Sequence, residues 1–138
     1  MRQDDHTFSS ATNRERLTGP EDVLRLLEGE VADARTESVH VFHLDSDRHL
    51  LGRSIIGGGL EVEVELPIRR IIGDALEFGS SMLVVVHNHP SGDPSPSRAD
   101  QLATKKLADI TRALDIRLLD HMIVAGDNSY SFAESGLL

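Results

Sequence analysis

The stretch "MLVVVHNHPSGDPSPSRAD", residues 82–100, contains the strongest structural signal in this 138-residue chain. It begins with an apolar run, which predicts a buried central strand. His87 and His89 end that strand, and a strand places residues i and i+2 on the same face. Three prolines then stiffen the loop, which can bring Asp100 back beside the two rings. Two imidazoles and a carboxylate, with a fourth position left to water, form a catalytic zinc arrangement. Iron or manganese can also occupy such a site.

The residues around this stretch alternate between helical and extended patterns. We predict helices over 18–29, 67–79 and 97–115, and strands over 38–44, 50–58, 60–66, 82–87, 117–126 and 129–132. This order predicts an α/β (α+β) fold in which a single mixed β-sheet is flanked by helices. In the third helix the apolar spacing predicts a buried side made of Ala103, Leu107, Ile110 and Leu114. Residues 1–18 are polar and unpatterned, so we expect a frayed segment before one domain at 19–138.

The composition excludes several classes of protein. The chain has no cysteine, which excludes disulfides, thiolate zinc sites and cysteine nucleophiles. No apolar run approaches the roughly 18 residues of a membrane span, and the first residues lack the apolar core of a signal peptide. We therefore expect a cytoplasmic protein without a membrane partner. The net charge of -9 argues against direct nucleic-acid binding, which usually requires a basic face.

Each part of the 82–100 pattern also has an ordinary explanation. A lone His-x-His at the end of a strand is more often a pair of hydrogen-bonded polar residues than a metal site. Ser97 and Asp100 have the spacing of a helix cap close to a capping box. The combination of both parts with a stiffened loop between them favours the metal site.

The motif and its surroundings together resemble a known family. His-x-His-Pro, a glycine and then Ser-x-x-Asp are similar to the signature of the RadC-like branch of the JAMM (MPN-type) metallopeptidase superfamily. Five further segments resemble that branch in the same order: "GPEDVLRLL" (19–27), "ESVHVFHLD" (37–45), "HLLGRSII" (49–56), "PIRRIIGDAL" (67–76) and "LLDHMIVAGDNSYSFAESGLL" (118–138). The resemblance implies a bare JAB domain of JAMM/MPN (cytidine-deaminase-like) architecture, without the helix-hairpin-helix domain that many relatives carry.

The resemblance also implies roles for individual residues. It implies one Zn²⁺ per chain held by His87, His89 and Asp100, with Ser97 assisting the oxyanion. It further implies an upstream glutamate as general base. We assign that role to Glu37, which matches the family's strand start, in preference to three glutamates on the face of the 60–66 strand: Glu61, Glu63 and Glu65.

Three other positions bear on the assignment. Ser54 stands where many relatives carry an acidic residue. If that carboxylate is needed for activity, its absence would impair this chain. Arg70 replaces a common glutamate. His121, in a "DH" pair that the family shares, fits either a partner that orients a zinc ligand or a packing residue.

Two functions from different classes follow. The first is a zinc-dependent metallohydrolase, a metallopeptidase or isopeptidase that cleaves an amide bond in a peptide or protein. The alternative is a non-catalytic JAMM-fold binding module in a DNA-repair or other multiprotein complex. The complete ligand set favours the enzyme, because degenerate relatives lose a histidine or the aspartate.

Overall fold

The computed structural model of the chain describes residues 6–8, 15–27, 36–57 and 66–138, the first of these ranges by its backbone alone. The elements in these ranges, in chain order, are β1 (His6–Phe8), α1 (Pro20–Leu26), β2 (Ser38–Leu44), β3 (Leu50–Gly57), α2 (Ile68–Phe78), β4 (Met82–Asn88), α3 (Arg98–Ala113), β5 (Arg117–Ala125) and β6 (Asn128–Ser131). None of the helices in the described ranges has the length and apolarity needed to cross a membrane.

The strands form one six-stranded sheet in the order β1-β3-β2-β4-β5-β6. Only the β4–β5 pair is parallel, and the other neighbours run antiparallel. Parallel neighbours need a long crossover connection, which helix α3 provides. The predicted α/β (α+β) fold with a single mixed sheet is confirmed.

Strand β4 lies at the centre of the sheet and contributes to a hydrophobic core on each face. Val84 and Val86 pack into the core on the α1 side. Leu83 and Val85 pack into the core on the side of α2 and α3. Because side chains alternate along a strand, His87 continues the row of Leu83 and Val85 and lies on the α2/α3 side.

Helix α3 buries a different line of residues from the one that its apolar spacing predicts. Leu107 is buried as expected, but the other buried residues are Thr104 and Thr111. Leu114 is 43% exposed, so its predicted burial is wrong. Each buried threonine donates its hydroxyl proton to a carbonyl of its own helix, Asp100 or Ala108, which removes most of the cost of burying it.

The structure also differs from the sequence-based expectation near the N-terminus. Within the segment 1–18 that is expected to fray, His6–Phe8 pair with β3 as an edge strand. Leu17 is buried in the core on the α1 side, because its apolar side chain fills the space beside that helix. These residues thus contact the rest of the fold, and the expected boundary between residues 18 and 19 stays a prediction. The predicted strand at 60–66, apart from Leu66, lies outside the described residues.

Candidate metal centre

The two histidines of the motif are held by the hydrogen-bond ladder of the sheet. His87 pairs with Val39 of β2 on one side and with Ile123 of β5 on the other. The backbone N–H of His89 donates to the carbonyl of Val124 at 2.9 Å, so the extended conformation continues beyond the end of β4. Both rings consequently project to the same side, as the i, i+2 spacing predicts.

The loop after His89 folds back on that residue. The backbone N–H of Gly92 donates to the carbonyl of His89 at 3.1 Å, and Gly92 has a φ of +91°, a conformation that glycine adopts without strain. The carbonyl of Asp93 lies 2.9 Å from Nδ1 of His89. The loop therefore fixes the orientation of one imidazole before the chain enters α3.

Ser97 and Asp100 form the helix cap and Asp100 also reaches the histidines. Oγ of Ser97 accepts the backbone N–H of Asp100 at 3.0 Å, and Oδ2 of Asp100 accepts the backbone N–H of Ser97 at 2.8 Å. This is a complete capping box. The same carboxylate lies 3.3 Å from Nε2 of His89 and 3.6 Å from Nε2 of His87. The capping and metal-site interpretations are thus compatible, because the cap aims the carboxylate.

His87, His89 and Asp100 form a group that could hold a metal ion, with one ligand atom from each residue within 4.8 Å of the others. The two Nε2 atoms are 2.9 Å apart. Zinc bonds of about 2.0–2.1 Å in a tetrahedral arrangement place neighbouring ligand atoms about 3.3 Å apart. This nitrogen–nitrogen distance and the two nitrogen–oxygen distances, one to each carboxylate oxygen of Asp100, lie on both sides of that value. The donor set therefore fits zinc in both chemistry and spacing.

The protonation of the rings also suits a metal. The Asp93 carbonyl can only accept, so Nδ1 of His89 carries a proton in that contact and Nε2 is the nitrogen that faces the site. Burial lowers the pKa of His87 to about 4, against an opposing effect of Asp100. The His87 ring is therefore neutral near pH 7, and the neutral ring is the form that binds metals.

His121 is fully buried behind the site and contacts His87 directly. Its Nε2 lies 2.7 Å from Nδ1 of His87. Its ring stacks on Phe132 with the centroids 4.6 Å apart. Burial lowers the pKa of His121 well below its usual value, so this ring is neutral as well. Both sequence interpretations of His121, a packing residue and a partner of a zinc ligand, agree with these contacts.

Glu37 is placed near the site by the register of β2 and β4. Val39 lies opposite His87. Glu37 lies two residues before Val39 and immediately precedes β2, at the end of the sheet where His87 and His89 lie. Glu37 is half-buried there and is not one of the three groups that converge on the ligand positions. Its role as general base remains a prediction.

Asn88 fixes the backbone on both sides of Glu37, and sequence reasoning missed it. Its side-chain Oδ1 accepts the backbone N–H of Ser38 at 2.7 Å, and its Nδ2 donates to the carbonyl of Thr36 at 2.9 Å. The side-chain amide of Asn88 thus makes two hydrogen bonds to the backbone of this segment that a neighbouring strand would otherwise make. An asparagine between two histidines at the end of an apolar run was the available signal, because its side-chain amide can satisfy one donor and one acceptor at once.

The two positions that depart from the family pattern lie in ordinary polar contacts. Ser54 is buried in β3, and its Oγ is 2.9 Å from Nε2 of His43. Nε of Arg70 donates to Oδ2 of Asp74 at 3.0 Å within α2. Neither residue belongs to the His-His-Asp group.

A second group of possible ligands is explained by turn chemistry. Asp45, Asp47 and His49 lie in the turn between β2 and β3. Oδ1 of Asp45 accepts the backbone N–H groups of Asp47 and His49 at 2.8 and 2.9 Å. These are the bonds by which an aspartate closes a turn. We therefore assign no metal to this group.

Comparison with known proteins places the chain in a family. The family model described as RadC-like JAB domain matches residues 17–137. The UPF0758 protein YkfG of Escherichia coli (strain K12) is 37% identical over 108 residues, covering 78% of this chain and 68% of that protein. A UPF0758 protein of Aliivibrio fischeri (strain ATCC 700601 / ES114) is 32% identical over 132 residues, covering 95% and 58%. A UPF0758 protein of Coxiella burnetii (strain Dugway 5J108-111) is 39% identical over 118 residues, covering 86% and 53%.

This chain spans 53–68% of the length of these three relatives. The match to the family model includes the whole sheet from β2 to β6 and every residue of the His-His-Asp group. From its sequence and its fold, the chain belongs to the RadC-like JAB domain family.

Proposed function

We propose that this protein is a zinc-dependent hydrolase that cleaves an amide bond, either a peptide or an isopeptide bond, in a peptide or protein substrate. The observation that carries the proposal is the convergence of His87, His89 and Asp100 at the end of a central strand. The side chains of His87 and Asp100 are only 6% and 19% exposed, and that of His89 is 15% exposed. Such a partly enclosed set of two nitrogens and one carboxylate is typical of catalytic zinc sites.

Zinc bound by these three residues would polarise the substrate carbonyl and acidify water. Glu37 would take a proton from the attacking water and pass it to the leaving amine, which cannot depart as an anion. The attack converts the planar carbonyl into a tetrahedral centre with a negatively charged oxygen. A hydrogen-bond donor aimed at that oxygen stabilises the transition state.

Ser97 is suited to be that donor. Its Oγ accepts the backbone N–H of Asp100, so the capping bond uses a lone pair and leaves the hydroxyl proton for another partner. Ser97 is exposed at the start of α3, where a substrate oxygen can reach it. Capping and oxyanion stabilisation therefore use different parts of one hydroxyl group.

Substitutions at Ser97 separate the two contributions. Ser97→Ala loses the cap and is expected to lower the free energy of unfolding by about 1 kcal/mol. Ser97→Asp retains a good cap but has no proton to donate, so hydrolysis is expected to fall about 10²–10³-fold. Ser97→Thr keeps both functions and is the matched control. Rates are compared at equal zinc content, and a Ser97→Asp protein that hydrolyses like the wild type would refute the oxyanion role.

The proposal as a whole is tested by a hydrolysis screen. The zinc-loaded protein is incubated with short peptides and with isopeptide-linked peptide conjugates, and cleavage is followed by mass spectrometry. We expect cleavage of at least one class, its loss on treatment with a chelator and its return when zinc is restored. Zinc binding without cleavage of any member of either class would instead support the non-catalytic binding module.

A further inference from the structure

A line of buried hydrogen-bonding groups connects the metal site to the interior of α3. Nδ1 of His87 lies 2.7 Å from Nε2 of His121, and Nδ1 of His121 lies 2.6 Å from Oγ1 of Thr104. Oγ1 of Thr104 in turn donates to the backbone carbonyl of Asp100 at 2.7 Å. His87, His121 and Thr104 are at most 4% exposed, so these groups have each other rather than bulk water as partners.

The direction of the hydrogen bonds along this line follows from the number of protons. A carbonyl oxygen can only accept, and a threonine hydroxyl has one proton. When Thr104 donates that proton to Asp100, its Oγ1 must accept from Nδ1–H of His121. With the ring proton of His121 on Nδ1, Nε2 of His121 offers a lone pair 2.7 Å away and accepts from Nδ1–H of His87. Nε2 of His87 is left with a lone pair that faces the site.

The opposite direction is disfavoured at Thr104 and unsuitable at the metal site. It would turn the Thr104 hydroxyl towards His121 and leave two oxygen lone pairs facing each other across the 2.7 Å between Thr104 and Asp100. It would also place a proton on Nε2 of His87, in the 2.9 Å between that atom and Nε2 of His89. A protonated Nε2 cannot bind a metal. In the favoured direction two nitrogen lone pairs face each other across that distance, which is the arrangement that a bound cation stabilises.

We propose that Thr104 is a positioning residue that, through His121, holds the proton of His87 on Nδ1 and presents the unprotonated Nε2 to the metal. The assignment deepens the proposed function and depends on it for the identity of the metal. Hydrogen-bond partners of metal-binding histidines commonly contribute about 10–100-fold to metal affinity. Thr104 differs from most such partners because it acts through a second histidine.

Zinc affinity measured by competition with a chromogenic chelator tests this role. Thr104→Val keeps the shape but removes the hydroxyl, and we expect it to weaken zinc binding by about 10–100-fold. Thr104→Ser restores the hydroxyl and is expected to restore most of the affinity. Thr111→Val is the matched control. Thr111 is as buried in α3 as Thr104, and its hydroxyl donates to the Ala108 carbonyl rather than to a histidine. Equal affinities of Thr104→Val and Thr111→Val would overturn the proposal.

The proton positions can be observed independently of zinc. In a long-range ¹⁵N–¹H correlation spectrum of the metal-free protein, we expect both His87 and His121 to carry their proton on Nδ1. Thr104→Val should shift His87 towards the Nε2–H form, and Thr111→Val should not. A wild-type spectrum with the His87 proton on Nε2 would overturn the proposal even if Thr104→Val failed to fold. A wild-type protein that bound no zinc would refute the proposed function, while this spectrum would still decide the role of Thr104.

Discussion

Replacement of Glu37 by glutamine is expected to lower amide hydrolysis by about 10²–10⁴-fold, which is the usual contribution of a general base. The amide of glutamine has the size of the carboxylate but cannot accept a proton from water. Zinc content should remain that of the wild type, because Glu37 is not among the converging ligand groups. The rate is measured on the substrate that the zinc-loaded wild type cleaves, at matched zinc content.

The structure supplies the reason for expecting this effect at Glu37. The residue lies two residues before Val39, which pairs with His87, and the Asn88 side chain holds the peptide groups on both sides of Glu37. A general base must be held within hydrogen-bonding reach of the proton that it removes, directly or through one water. The Asn88 bonds provide that restraint on the backbone.

The control for this experiment is the set of glutamates that the sequence leaves as alternatives. Simultaneous replacement of Glu61, Glu63 and Glu65 by glutamine is expected to leave the rate of hydrolysis unchanged. Loss of hydrolysis in the triple variant together with a wild-type rate for Glu37→Gln would reverse the assignment of the base.

Zinc is expected to stabilise the folded chain strongly. A ligand that binds only the native state raises the free energy of unfolding by about 4 kcal/mol when its free concentration is about a thousand times the Kd. The ion would connect the end of β4 to the first turn of α3, in addition to the proline-containing loop that joins these two elements. Denaturant unfolding with zinc and with a chelator measures the difference.

The matched variants for the stability measurement are two histidine substitutions. His89→Ala removes a ligand and should abolish the zinc-dependent increase. His49→Ala removes a half-buried histidine of the β2–β3 turn and should leave the increase intact. Equal zinc-dependent stabilisation of both variants would show that zinc binds elsewhere. Asp100→Ala is less informative, because it also removes the capping box and its contribution of about 1 kcal/mol.

The parts of the site that depend on one strand and one helix cap were predictable from the sequence. Alternation along an apolar run places His87 and His89 on one side of a strand wherever that strand lies in the sheet. The spacing of Ser97 and Asp100 matches a capping box, and the cap directs the carboxylate. These are local rules, and they hold regardless of the packing around them.

The supporting residues depend on long-range packing and were not predictable in the same way. Asn88 contacts a segment 50–52 residues away, and Thr104 contacts a histidine 17 residues away. The pattern of α3 was also misleading, because apolar spacing favours Ala103, Ile110 and Leu114 over the threonines. Thr104 and Thr111 are buried instead, since each satisfies its hydroxyl within the helix. The edge strand at His6–Phe8 likewise depends on pairing with the distant β3.

His87, His89 and Asp100 are expected to bind a metal ion, and the metal content of the purified protein measures this binding. Elemental analysis is carried out on untagged wild-type protein and on a His87→Ala, His89→Ala double variant, each after exposure to zinc and removal of excess ion. We expect about one zinc ion per chain in the wild type and none in the double variant. A wild type without metal, or a double variant that retains it, would show that these residues do not form a metal site.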